Sequence, residues 1–187
     1  MVQYMRPVGD KADDGNWEST DESEGSAVFY TAIDEASVDD NDYITGDASG
    51  GATTIDFELT NGITDPGVTT GHKIVYRWSL PDEGGSSNCN LTAKLMVGST
   101  VHATQTLDTT GGGASFTTTT YAPTNLDSAL GSATAYNNAF LRFTFDDDDA
   151  LETVRISWAY VEVPDAAAAA PAAEPDLPGA AFLMFVD

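Results

Sequence analysis

Residues 153–163, TVRISWAYVEV, are the stretch from which the rest of the chain is read. At period two they place Val154, Ile156, Trp158 and Tyr160 on one face and Arg155, Ser157, Ala159 and Val161 on the other, the pattern of a half-buried β-strand. The β-branched and aromatic content suits a central strand, and Pro164, which has no amide hydrogen for the ladder, ends it. This reading makes Trp158 a core residue whose truncation costs about 3–5 kcal/mol.

Working outward, residues 140–146 alternate with Leu141, Phe143 and Phe145 inward, and an acidic turn at 146–149 returns the chain as a hairpin into 153–163. Residues 54–60 point Ile55, Phe57 and Leu59 inward and Asp56 and Glu58 outward, and 72–80 point Ile74, Tyr76, Trp78 and Leu80 inward. Residues 90–97 and 100–107 form a hairpin across Gly98-Ser99. FTTTTY, at 116–121, has high β propensity and little apolar content and belongs near a sheet edge. The first strand is expected at 28–33, followed by a turn-rich acidic stretch. Only 123–138 suits a helix, of a turn or two, with Asn125 and Asp127 as caps.

About eight strands with almost no helix predict an all-β fold, an antiparallel jelly-roll-like β-sandwich. Its extent is 27–164. Residues 1–26, rich in Asp, Glu, Gly and Ser, read as an extended N-terminal arm with Tyr4, Met5 and Trp17 as anchors on a neighbouring surface. Residues 165–187 read as an Ala/Pro-rich linker followed by an apolar docking tail, in which Phe182, Leu183, Met184 and Phe185 pack on the chain's own domain or on a partner.

Thirty acidic residues against seven Lys plus Arg give a net charge of −23. That field repels nucleic acid and anionic membranes, so neither is expected as a partner. It also suits a saline setting, where salt screens self-repulsion. The single cysteine, Cys89, excludes an intrachain disulfide and reads as an unreactive thiol. No signal peptide and no apolar run near 20 residues are present in this sequence, which leads to an expectation of cytoplasmic synthesis without standard export.

No enzyme motif emerges. Asp34 and Glu35 with Asp56 and Glu58 could be posed as a glycosidase pair, but with thirty acids such pairs arise by chance. The clusters holding Asp39, Asp40 and Asp42, and Asp146 and Asp148, have the oxygen chemistry of a structural calcium loop without the EF-hand pattern, and read first as solvated turns. Tyr76, Trp78, Trp158 and Tyr160 could build a platform for sugar rings; their shared parity with aliphatic neighbours makes them core first.

Arg6-Pro7, Gly15-Asn16-Trp17, Ala32-Ile33-Asp34-Glu35, Asp42-Tyr43-Ile44, Asp65-Pro66-Gly67 and Gly71-His72 together resemble a pattern in phage and prophage virion-associated proteins, across residues 6 to about 163. The resemblance implies a structural virion protein made in the host cytoplasm, a head decoration (cement) or tail-associated β-sandwich. Its partners would be the major capsid protein or other virion proteins, with self-association, for instance as a trimer. It carries over no catalytic residue. A carbohydrate-binding or host-adhesion module on a tail or head fibre, with a glycan as partner, is the alternative.

Overall fold

The computed structural model describes residues 2–20, 28–48, 51–81, 88–122, 130–147 and 153–165. Eight strands form the body: β4 (Ile44–Asp47), β5 (Thr53–Leu59), β6 (Lys73–Ser79), β7 (Cys89–Val97), β8 (Thr100–Asp108), β9 (Thr117–Tyr121), β10 (Ala139–Asp147) and β11 (Thr153–Pro164). Three shorter strands precede them: β1 (Val2–Met5), β2 (Pro7–Asp13) and β3 (Trp17–Ser19).

The first sheet runs β3-β4-β11-β6-β9, with β1 also on β11; the second runs β2-β5-β10-β7-β8. All the pairings are antiparallel. From β4 onward the chain crosses to the other sheet at every connection except the β7–β8 hairpin, which is the winding of a jelly roll. Gly98, at φ +58, makes that hairpin turn.

The alternating patterns of β5, β6 and β10 meet between the sheets. Tyr76 and Phe143 stand edge to face at 5.5 Å, and Phe57 and Phe143 at 6.5 Å. Burial takes most of the apolar area of these rings out of water, and the edge-on contacts add to it. Tyr76 donates its hydroxyl to Gln105 at 3.1 Å, and the Trp78 indole donates to Thr119 at 2.9 Å, so both aromatics occupy the core with their polar atoms satisfied.

Four expectations are corrected. The arm at 1–26 is built in large part into the sandwich: β1 and β3 extend the first sheet, and β2 lies along β5 in the second. A strand added to an existing edge gains backbone hydrogen bonds and needs only one or two inward side chains, so low apolar content did not prevent it. Met5 and Trp17 are those side chains, both buried in the protein's own core. Trp17 lies flat on Gly46, where a Cβ would come within 2.7 Å of the ring.

Second, the strand expected at 28–33 contains instead a 3-10 turn at Tyr30–Ala32, whose entry is held by the Asp10 carboxylate accepting from the amides of Phe29 (2.9 Å) and Tyr30 (2.8 Å). The strand of that region is β4, inside the acidic stretch read as turn. Third, β10 and β11 are not a hairpin, since they lie in different sheets. Fourth, Trp158 and Tyr160 are not in the core.

The short helix occurs as α1 (Ala133–Asn137), capped by Ser132, whose hydroxyl accepts from Ala135 N at 3.2 Å; the expected caps Asn125 and Asp127 lie outside the described residues. FTTTTY supplies β9 at the edge of the first sheet.

Candidate functional site

The register of β11 against β6 slips between Ile156 and Trp158: Ile156 sits opposite Trp78, Trp158 opposite Arg77, and Ser157 is the extra residue of a β-bulge. Before the bulge Val154 and Ile156 face the core; after it Ala159, Val161 and Val163 do. Ser157 and Trp158 therefore both turn to the outer surface of the first sheet, followed by Tyr160 and Glu162. Ser157 donates its hydroxyl to Asp40 at 3.0 Å, which shows the direction it takes.

Trp158, Tyr160 and Tyr4 form a continuous run of rings on that surface. Trp158 and Tyr160 meet edge to face at 4.8 Å, and Tyr160 and Tyr4 at 5.5 Å. Tyr4 is 49% exposed, while Trp158 and Tyr160 are half-buried. The Arg6 guanidinium stands 5.4 Å from the Tyr160 ring and 5.9 Å from Tyr4, a cation resting on two ring faces. Lys73 pairs with Glu162 at 2.6 Å beside Tyr160.

The acidic segment 34–43 is tied to this surface by a different set of bonds. The Glu35 carbonyl accepts from Arg6 Nη1 (2.6 Å) and from the Trp158 indole (2.9 Å). Asp40 takes the Arg77 guanidinium on both oxygens, at 2.6 and 2.7 Å. Arg77, helped by Ser157, holds the Asp40 carboxyl below the usual carboxylate range. Arg155 lies 4.7 Å from the Tyr43 ring. Burial, reinforced by Asp34, Asp42 and Asp39, pushes the Glu35 carboxyl up to about 7, and its Oε2 is buried without a hydrogen-bond partner among the described residues. Glu35 and Tyr43 thus belong to one strap over the bulge, and Arg6, between β1 and β2, ties that strap to the ring patch.

Two polar clefts lie elsewhere. One, of about 310 Å³, opens where β2, β5 and β10 end and includes Lys11, Glu58, Asn61, Asn138 and Phe140. The other, of about 240 Å³, lies between Asn16, Glu18, Thr45, Asp47 and Thr153. Neither presents an exposed aromatic ring among its lining residues.

Of the expected anchors, Tyr4 joins the surface patch, Met5 and Trp17 are core, and Phe182, Leu183, Met184 and Phe185 lie outside the described residues. Among the acidic candidates, Asp39 accepts from the Asn41 amide (2.9 Å) and side chain (2.8 Å), Asp40 is held by Arg77, Asp146 is exposed opposite Asn90 on β7, and Asp148 lies outside the described residues. Asp42 is half-buried in the strap. Among the described residues no group of three or more His, Cys, Asp or Glu is placed to hold a metal ion.

Of the residues posed as a glycosidase pair, Asp34 and Glu35 lie beside β11 of the first sheet, whereas Asp56 and Glu58 belong to β5 of the second. Asp56 is also bound on both oxygens by Arg142, at 2.6 and 2.7 Å. Cys89 is buried, with its thiol 3.7 Å from Asp147. Arg6 was missed in the sequence because nothing in its local pattern marks a residue that touches two rings and a carbonyl from distant strands.

No family model matches the chain, and no curated protein matches its sequence. Solved structures align with it in part. The arabinose-bound GH51 α-L-arabinofuranosidase aligns at TM-score 0.46 and 16% identity, over 83% of this chain and 25% of that one. The C-terminal CBM6 of LamC, a marine laminarinase from Zobellia galactanivorans, aligns at 0.46 and 15%, over 87% and 100%. The enzymatically active domain of tailspike protein 4 of bacteriophage CBA120 aligns at 0.41 and 6%, over 86% and 19%. The chain thus spans about a quarter of the first and a fifth of the third.

Proposed function

We propose that this protein is a glycan-binding adhesion module of a phage particle, which holds a saccharide on the outer surface of its first sheet without transforming it. The observation that carries the reading is the bulge at Ser157, which turns Trp158 and Tyr160 out of the core and aligns them with exposed Tyr4. Apolar sugar faces stack on such rings, and Arg6, Lys73 and Glu162 beside them offer the donors and acceptor that hydroxyl groups require. The virion setting rests on the sequence resemblance. The decoration (cement) reading, the first that the sequence suggests, is favoured by two free terminal arms, and much of the N-terminal one is part of the sandwich.

Affinity electrophoresis against a panel of bacterial surface polysaccharides tests the proposal. Tyr4→Ala and Tyr160→Ala should each weaken retention about tenfold, the value of one well-placed ring contact. Retention of the double variant equal to that of the wild-type chain would overturn it, as would failure of the wild-type chain to bind any member while binding phage heads through Phe182–Phe185.

A further inference from the structure

Among the described residues β1 pairs only with β11 and is tied on to residues 60–64 through Gln3 and Tyr4, which bond Thr64 and Thr60. The other four lateral edges of the two sheets are unequal. β2 is interrupted by two register shifts and carries Pro7, Asp10, Lys11 and Asp13. β3 is only three residues long and carries Glu18. β8 contains a register shift against β7 and ends on Asp108. Each has a device that discourages pairing with another chain: a bulge, a proline, a charge or short length.

β9 has none of them. Its five residues, TTTTY, pair with β6 in unbroken register, and among the described residues no strand lies along its other side. It also sits in a stretch without a single charged side chain between Asp108 and Asp127, in a protein of net charge −23. The strand itself therefore adds no charge to the self-repulsion between copies, and its threonines favour the extended pairing geometry.

We propose that β9 is the contact between two copies of this chain, pairing antiparallel with its own counterpart to continue the first sheet across a two-fold axis. The occupant is a second copy because the edge is self-complementary. An antiparallel register centred within residues 117–120 sets threonine opposite threonine. The protein already makes such cross-strand pairs, at Thr54–Thr144 and Thr92–Thr106, each with the hydroxyls 3.1 Å apart. Trp78 and Arg77 donate to Thr119 and Thr118 from β6, at 2.9 and 3.2 Å, and hold the strand extended. An isologous contact of this kind closes at two and does not grow into a filament.

The test is sedimentation equilibrium on the full chain over a concentration series. The expected result is a reversible shift toward twice the 19.7 kDa chain mass. Association should tighten several-fold from about 0.1 to 1 M salt, as screening shortens from about 10 to 3 Å, the opposite of a contact driven by charge attraction. Thr117→Glu with Thr120→Glu should abolish the shift while leaving the circular dichroism unchanged; Thr104→Glu on the β8 edge should leave the shift intact. Amide exchange at 117–121 should slow as concentration rises. A full chain that stays monomeric, a dimer that survives the paired glutamates, or 117–121 amides protected equally at every concentration would overturn the proposal, the last showing that the chain covers its own edge.

Discussion

The two halves of β11 present a natural experiment. Residues 153–156 and 158–164 share a strand, a partner in β6 and a similar composition, yet they turn opposite parities to the core. In the first half the even positions, Val154 and Ile156, are buried. In the second the odd positions Ala159, Val161 and Val163 are buried, and the even ones carry the surface aromatics. One serine outside the ladder separates a stretch that only supports the fold from one that carries the surface aromatics.

The harshest way to break the comparison is to delete Ala159. With the bulge at Ser157 kept, the shortened strand would carry Tyr160 and Glu162 inward and Val161 and Val163 outward. A glutamate and an oversized ring in a filled core cost more than the roughly 5–15 kcal/mol that holds a domain together, so this variant should show no cooperative unfolding transition in urea. Deleting Ser157 removes the extra residue itself and leaves Trp158 outward and Ala159 inward, so that variant should still unfold cooperatively. A Ser157 deletion without a cooperative transition, or an Ala159 deletion that unfolds near the wild-type midpoint, would show that the bulge does not determine the facing.

Single truncations on the two sides should then differ. Ile156→Ala removes a fully buried side chain and should cost about 2–5 kcal/mol in denaturant. Tyr160→Ala removes a half-buried ring whose contacts are edge-on to Trp158 and Tyr4, and should cost about 0.5–1.5 kcal/mol. Equal costs would return Tyr160 to the core.

The same contrast explains what could be read in advance. β5, β6 and β10 were legible because each keeps one parity from end to end, so counting apolar residues at period two finds both strand and facing. β11 changes parity at Ser157, and counting at a fixed phase carries the wrong face forward. The signal was present, since the aliphatic residues move from even positions, Val154 and Ile156, to odd ones, Ala159, Val161 and Val163. β4 offers only Ile44 and Gly46 toward the core side, too few for a pattern, and β1 and β3 owe their places mainly to backbone pairing with strands distant in sequence. Of the surface patch, Tyr4 was visible as an isolated apolar point. Its neighbours came from the bulge and from the strap.

The strap over the second half gives a pH-dependent test. Glu35 is shifted from 4.5 to about 7 in the fold, so between those values the folded state binds a proton that the unfolded chain has released. Its contribution is fully present below pH 4.5 and is lost as pH rises through about 7. His72, buried with its Nε2 2.8 Å from the Tyr136 hydroxyl, has its pKa lowered by burial and pulls the other way, its contribution fading as pH falls below 6.5. Comparing wild type with Glu35→Gln cancels the His72 effect. The wild type should gain on the variant as pH drops from about 7 to 4.5 in urea titrations, and a constant difference would mean that Glu35 ionises freely in the fold.

The smallest expected effect comes from Trp158→Phe, which separates the two roles of this residue. The change keeps one ring on the surface while it removes the second ring of the indole and the N–H that reaches the Glu35 carbonyl at 2.9 Å. That carbonyl still accepts from Arg6 at 2.6 Å, so it is not left unsatisfied, and the loss should stay within about 0.5–1.5 kcal/mol. If Trp158 acts in the patch mainly as an apolar face, Phe should retain most polysaccharide binding while Trp158→Ala does not. If its indole bond is what positions the surface, Phe should lose binding nearly as far as Ala, and the strap rather than the ring would be the element that the bulge exists to hold.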